Sequence, residues 1–488
     1  MTQARSRRER IEFGDWQTPL ELARAVVELF RREGRRFGSV LEPTCGRGAF
    51  LLAAREAFPA ASLIGFDNDA GHLAHARASL GDRGAELVEA DFFATDWQRV
   101  LAGAREPLLI LGNPPWVTSS VLGAIRGSNA PHKENSQGLP GLDALTGKSN
   151  FDVSEWMLLR LLEAARGRDF ELAMLCKASV ARRVLSTTSA RGWSLAGELR
   201  TIDAARLFGV AVDAALLRVR TADATDRAAR WPRFASLSAD VPVEELGWID
   251  GRLCRDAKAF LATRTLAGSS ESTWRSGVKH DCSDVFELAV EGDELVNGFG
   301  ELVRVEDELL FPLFKGGDLA RGRRTPRRML LVTQRGLRED TRELAVRAPA
   351  TWDYLERHRE RLAARKSRIY RGRPPFALFG VGSYTFAPYK VAISGLHKEL
   401  VFRALGPADG KPVVIDDTCY FLACEERGSA ESIAELLNGP RAREFFEARV
   451  FWDQKRPVGK ALLDALSLKA LFLAHGKEPP VAHASASA

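Results

Sequence analysis

Residues 39–58 read SVLEPTCGRGAFLLAAREAF, and residues 62–69 read SLIGFDND. The first stretch opens on a short apolar run, turns at Gly46 and Gly48, and continues with apolar residues at helical spacing. Such a turn needs positive φ or a close backbone approach, which glycine supplies without steric cost. The helix that follows begins with unpaired N–H groups. The second stretch is another strand and ends in Asp67, about twenty residues after the glycines. An acid at the tip of a second strand is where open α/β sheets hold ribose hydroxyls.

The alternation continues on both sides of this unit. AGHLAHARASL (70–80) and SEWMLLRLLEAAR (154–166) carry helical periods. AELVEAD (85–91), PLLILGN (107–113), FELAMLC (170–176) and DAALLRVR (213–220) read as strands. Alternating strand and helix predicts a mostly parallel sheet covered on both faces, an α/β, doubly wound fold. From residue 221 the sequence TADATDRAARWPRFAS is polar and patternless, and is expected to lead out of the first domain. The second half mixes short helices (TWDYLERHRERLAARKSRIY, 351–370) with short strands (PYKVAIS, 388–394; VVIDDTCYFLAC, 413–424), an α+β pattern. The expected domains are 1–235 and 236–475, followed by a tail at 476–488 whose Pro, Ala, Ser and Gly content predicts disorder.

Composition narrows the class. Of 488 residues 45% are hydrophobic and 27% charged, as in a globular protein with large cores. The net charge of +6 is compatible with a nucleic-acid partner. Six cysteines lie scattered without a Cys-x-x-Cys pair or histidines at zinc spacing, so no metal site is expected. That pattern, with a basic N-terminus followed by no apolar segment, is the one expected of a cytoplasmic protein. No run approaches the ~20 apolar residues of a membrane span.

The third strand also ends in an acid, Asp91, placed to accept an adenine amino group. Three successive strands ending in a glycine turn, Asp67 and Asp91 predict a nucleoside site. A Gly-Lys-Ser/Thr phosphate loop and the long dinucleotide signature are both absent, so an adenosine without pyrophosphate, S-adenosylmethionine, fits best. The fourth strand runs into LGNPPWVTS (111–119), where two prolines stiffen a corner between Asn113 and Trp116.

TPLELA (18–23), LEPTCGRGAFL, GFDND, EADFF and GNPPW, in that order, resemble the amino-methylating DNA methyltransferases. The order of motifs resembles the gamma class of N6-adenine enzymes, the TaqI-like type II modification methylases with a C-terminal specificity domain. The resemblance implies a class I methyltransferase seven-stranded sheet and an α+β target-recognition domain. It implies that Thr18, Pro19, Glu42, Thr44, Gly46, Gly48, Asp67, Asp91 and Asn113 bind the cofactor, with Glu42 near its methionine amino group. NFDVSEWML (150–158) resembles the fifth motif, placing Phe151 against the cofactor adenine.

The corner has its own chemistry. An exocyclic amino nitrogen is a poor nucleophile, because its lone pair is delocalised into the ring. Fixed acceptors for its hydrogens stabilise the charge that develops there; the Asn113 side chain and the Pro114 carbonyl, pre-aimed by the Pro114–Pro115 pair, are those acceptors. A base inside a duplex must be flipped out to reach them. Trp116 supplies one stacking face, and Phe208, in RLFGVAVDAALLRV (206–219), corresponds to the family's second aromatic. Trp116 stands where the family usually has Tyr, and LCKASVARR stands where its sixth motif ends in proline. The polar, Gly-rich segment 123–150 beside the corner is either an element that orders around substrate or a plain insertion.

The second half carries two basic runs. RGRRTPRRM contains Arg321, Arg323, Arg324, Arg327 and Arg328, and the 351–373 region adds Arg365 and Lys366 among others. With Tyr384 and Lys390 in FALFGVGSYTFAPYKVAIS (376–394), they are the expected contacts to double-stranded DNA. SGVKHDCSDVFEL (276–288) resembles the start of the family's recognition region, and 376–394 and 451–466 resemble its specificity domain. The expected activity is adenine-N6 methylation in a restriction–modification or phage-defence system, with any endonuclease on a separate chain. Cytosine N4, an RNA base or a glutamine amide remain alternative acceptors, and a catalytically idle DNA-binding subunit is the alternative of another class.

Overall fold

The computed structural model of the protein describes residues 17–81, 84–117, 152–223, 229–269 and 272–479. Phe151, the segment 123–150 and the tail from 480 onward lie outside the described residues. The chain divides into two compact units, Met1–Ala257 and Lys258–Ala488.

The first unit is built on one mixed sheet. Its strands are β1 (Ser39–Glu42), β2 (Ser62–Asp67), β3 (Glu86–Glu89), β4 (Leu108–Gly112), β5 (Phe170–Lys177), β6 (Leu195–Ile202), β7 (Ala214–Thr221), β8 (Arg230–Phe234), β9 (Pro242–Ile249) and β10 (Arg252–Cys254). They lie in the order β10-β9-β8-β6-β7-β5-β4-β1-β2-β3. β3, β2, β1, β4 and β5 run parallel, while β7 is antiparallel to both β5 and β6. β1 and β4 are fully buried along their length; the unbroken apolar run of β4 requires cover on both faces, while β1 buries Ser39 and Glu42 at its two ends. The helices include α1 (Leu20–Arg32), α2 (Ala49–Ala57), α3 (Ala70–Leu80), α4 (Trp97–Ala102), α5 (Val153–Ala164), α6 (Ala178–Ala190) and α7 (Ala204–Phe208). One core packs α1 and α2 against β1, β4 and β5 through Val26, Phe30, Phe50, Leu51, Leu109 and Leu175.

The sheet has ten strands among the described residues, where the resemblance implies seven. The first of the additional strands, β8, lies in the segment whose polarity suggests an exit from the domain, and β9 and β10 follow it. β8 pairs parallel to β6 and antiparallel to β9. Trp231 is buried and donates its indole N–H to the Leu195 carbonyl at 3.1 Å, and Phe234 is buried beside it. A register shift between Arg233 and Phe234 breaks strict alternation, which is why two buried aromatics three residues apart belong to a strand. The first unit therefore runs past residue 235 to Ala257.

Chain order along the sheet reverses between β1 and β4, since β2 and β3 lie on one side and β5 on the other. In open α/β sheets ligands bind beyond the carboxyl ends of the strands at such a switch. Leu41 pairs with Ile110, so Glu42 and the residues after Gly112 emerge side by side there.

The described residues of the second unit form two sheets. β11 (Arg275–Ser276), β16 (Tyr389–Ser394), β17 (Arg403–Leu405) and β19 (Cys419–Cys424) form the order β11-β19-β16-β17. β12 (Glu287–Glu291), β13 (Glu294–Val296), β14 (Leu310–Phe314), β15 (Arg328–Leu331) and β18 (Val414–Ile415) form β13-β12-β15-β14-β18. Helices at Arg427–Asn438 and Pro440–Glu447 cover the first sheet, through Ile433, Leu437, Phe445 and Phe446. No helix among the described residues is long and apolar enough to cross a membrane.

Candidate functional site

The glycine turn after β1 is held by its neighbours. Gly46 has φ +50° and Gly48, at the start of α2, has φ +80°. A Cβ on Gly46 would lie 2.7 Å from Gln17 Oε1, and one on Gly48 would lie 3.0 Å from the Ala76 methyl. Gln17 Oε1 accepts the Arg47 N–H at 3.0 Å, so the residue just before Thr18 and Pro19 presses on the turn. Pro19 precedes α1, and its carbonyl accepts the Ala23 N–H.

Asp67 ties the tip of β2 to this turn. Its Oδ2 accepts the Gly46 N–H at 2.8 Å and its Oδ1 the Asp69 N–H at 2.9 Å, with His72 Nδ1 3.4 Å away. Asp69 in turn caps α3 by accepting the Gly71 and His72 N–H groups. Glu42, at the end of β1, is 3% exposed. Burial first, and then the charge of Asp67, push its carboxyl well above the usual carboxylate range, with a partial offset from the Leu51 N–H. Among the described residues, buried Glu42 Oε2 and buried Thr44 Oγ1 meet no hydrogen-bond partner. Unpaired buried polar atoms cost about 1–3 kcal/mol each, so their retention points to a ligand. Burial, followed by Glu42 and Asp67, also raises the Cys45 thiol, which keeps it from acting as a thiolate nucleophile.

The corner follows β4. Pro114 is buried, while Asn113, Pro115 and Trp116 are half-buried. The Trp116 indole donates to the Leu175 carbonyl of β5 at 3.2 Å. Its ring meets Phe208 at 5.4 Å with the planes 71° apart. That edge-to-face contact leaves no slot between the rings, so they do not form the two-faced clamp expected of them. Phe208 is 9% exposed and belongs to the core around α1, which explains its inward position.

The chain leaves the corner at Val117 and returns at Val153, whose N–H donates to the Val117 carbonyl at 2.9 Å. Asp152 caps α5 and accepts the Lys177 ammonium at 2.6 Å. Lys177 ends β5 where the resemblance places a proline, and its ion pair secures the return of the chain beside the corner. Neither partner stands out in the sequence, because each becomes visible only through the other. Asp91 is exposed, and its Oδ1 accepts the Phe93 N–H at 2.9 Å. Next to it the Phe93 and Trp156 rings lie 5.2 Å apart.

The structure divides the expected DNA contacts of the second unit. Arg321, Arg324, Arg327 and Lys366 are exposed. Arg323 pairs with Asp318 at 2.9 Å, and Arg328 lies 3.6 Å from Glu287. Tyr384 is covered by the Arg275 guanidinium at 4.6 Å. Lys390 is fully buried and donates to the Ala387 carbonyl at 2.6 Å, and burial brings its ammonium down to about 7. It is an interior residue of β16, not a phosphate contact. Arg365 donates to the carbonyls of Leu362, His280 and Ala377 and lies 3.7 Å over the Tyr370 ring, so its side chain holds loops together.

A glycine turn after β1, an acid at the tip of β2 and a switch point between β1 and β4 define a methyltransferase-like α/β fold. No family model matches the chain. The type II methyltransferase M.NspV of Nostoc sp. (strain ATCC 29411 / PCC 7524) is 40% identical over 469 residues, covering 95% of this chain and 97% of its own. The chain belongs to the type II methyltransferase family. Among solved structures, the type IIL restriction-modification enzyme MmeI in complex with DNA is similar in fold, with a TM-score of 0.54 and 12% identity. That similarity spans 94% of this chain and 65% of the MmeI chain. A modification subunit of a putative type I restriction enzyme from Vibrio vulnificus YJ016 matches 45% of this chain and 47% of its own, at 16% identity and a TM-score of 0.31.

Proposed function

We propose that the protein is an S-adenosylmethionine-dependent DNA methyltransferase. It methylates N6 of an adenine turned out of the duplex, as the cytoplasmic modification partner of a separately encoded endonuclease. The observation that carries this reading is the pair of buried, unpartnered oxygens on Glu42 and Thr44, emerging beside the Asn113–Pro114 corner.

These residues fit the donor. Glu42 is a buried acid beside which the described residues place no cation, and an amino-acid ammonium supplies one. Asp67 orients the Gly46 turn, and its remaining lone pairs would accept from ribose hydroxyls. Bound S-adenosylmethionine supplies a methyl group already activated on a sulfonium. The protein supplies alignment: the Asn113 side chain and the Pro114 carbonyl accept the two amino hydrogens and hold the nitrogen in place. Trp116, anchored through Leu175, offers its half-buried ring to the extruded base. Family membership supports a restriction–modification setting, and the exposed arginines of 321–327 support DNA as acceptor.

The test is incubation with methyl-labelled donor and plasmid, followed by modified-base sequencing. N6-methyladenine at one sequence motif is expected. Label on cytosine or on protein alone would replace the acceptor, and no label on any substrate would remove the activity.

A further inference from the structure

The second unit holds a cavity of about 880 Å³ that the corner and the donor site do not use. Sites for small organic ligands span about 300–1,000 Å³. Five arginines line it, with no Asp or Glu among the lining residues. Arg342 and Arg359 are paired with Asp340 and Glu356, and Arg365 is committed to carbonyls. Arg371 remains, with Arg373, whose guanidinium lies 5.7 Å over the Phe379 ring. They are exposed and have no carboxylate partner among the described residues. The turn that carries them is rigid: Gly372 between them has φ +70°, the Arg373 N–H bonds the Tyr370 carbonyl at 3.3 Å, and Pro374–Pro375 follow.

The same cavity has aromatic walls. Trp352 and Phe376 meet edge to face at 5.2 Å, and Tyr370 lies beneath Arg365. Paired guanidinia match phosphate oxygens in geometry and charge. Aromatic faces stack bases with little regard to sequence. An inorganic anion would use the first feature and leave the second idle.

We propose that this cavity binds a nucleoside phosphate, with the phosphate on Arg371 and Arg373 and the base against the half-buried Trp352 ring, Phe376 being buried behind it. The ligand is either a nucleotide within a bound DNA strand or a free nucleotide. The polymeric source rests on the proposed DNA methyltransferase activity, whereas the free source does not.

The full chain is titrated with deoxyadenosine monophosphate, with inorganic phosphate and with duplex DNA, following intrinsic fluorescence. Arg371→Ser/Arg373→Ser is expected to weaken nucleotide or duplex binding at least about tenfold. The duplex salt slope should fall by about 0.9, the share of the one phosphate left without its arginines. Trp352→Phe should remove quenching while leaving circular dichroism and donor binding unchanged. A response to duplex alone supports the polymeric source; a response to the mononucleotide supports the free one. Wild-type affinity of the double variant for both ligands overturns the proposal, as does inorganic phosphate binding as tightly as the mononucleotide. Methyl transfer is read separately on the wild type. Its absence would remove the proposed activity and leave the mononucleotide result to stand or fall alone.

Discussion

Glu42 in the first unit and Glu287 in the second are both glutamates of 3% exposure, yet their surroundings are opposite. Glu287 receives the Lys315 ammonium at 2.6 and 2.8 Å, with His280 Nε2 at 3.3 Å and Arg328 at 3.6 Å. Burial alone would raise its carboxyl, but His280 and Lys315 outweigh burial and hold it below the usual range. Among the described residues Glu42 has Asp67 for a neighbour instead of a cation, and both burial and that charge raise it. A buried acid surrounded by cations is part of the fold's own structure. A buried acid lacking one is a receptor for a cation that arrives with a ligand.

The largest effect expected is on chemistry at the corner both acids leave untouched. Asn113→Ala should lower turnover by about 10²–10³, the cost of removing one preorganised transition-state contact, and by far more than it weakens donor affinity measured by calorimetry. Unchanged turnover would take the corner out of the mechanism.

Next comes the paired exchange of the two glutamates. Glu42→Gln should weaken donor binding by at least about 30-fold, as truncating one partner of a buried charge pair does, without lowering the melting temperature of the free protein. Glu287→Gln should do the reverse, leaving donor affinity alone and costing about 1–3 kcal/mol in denaturant unfolding. That is below the ~3–5 kcal/mol of a fully buried pair, because Lys315 and Arg328 are partly solvated. If both variants lose stability and neither loses affinity, the contrast between the sites is wrong.

Lys390 gives a smaller, pH-dependent effect. Its folded value near 7 lies below the ordinary 10.5, so the unfolded chain holds the proton where the folded chain does not. Stability of the second unit should therefore rise as pH climbs from about 7 toward 10.5, and Lys390→Met should flatten that rise. Smallest is Arg324→Glu/Arg327→Glu, which should weaken DNA binding uniformly across sequences and lower its salt slope by about 1.8. An unaltered slope would make that run a solvated face.

These contrasts also mark what the sequence can reveal. Gly46, Gly48 and Asp67 are legible because strand, turn and helix follow one another locally, and the structure joins Gly46 to Asp67 at 2.8 Å. Gln17 is not, because its role is a contact across thirty residues with the turn it supports. β8 is hidden by Pro232, by flanking arginines and by a register shift, each of which reads as loop. Lys390 and Arg365 mislead because charge in a sequence suggests exposure. Lys390 lies in a six-residue strand whose last five residues are all buried, and Arg365 meets the carbonyl of Leu362 in the preceding helix and those of His280 and Ala377.

The most direct measurement is the affinity of wild type and Glu42→Gln for S-adenosylmethionine as a function of pH. Glu42 must ionise to receive the donor's ammonium, so wild-type affinity should strengthen with rising pH through its raised carboxyl value and fall again once the donor's own α-amino group, with a pKa of about 8, loses its proton. The Gln variant should bind weakly and lack that rise. Equal affinities with the same pH profile would contradict the account, because the buried acid would then have no part in holding the donor.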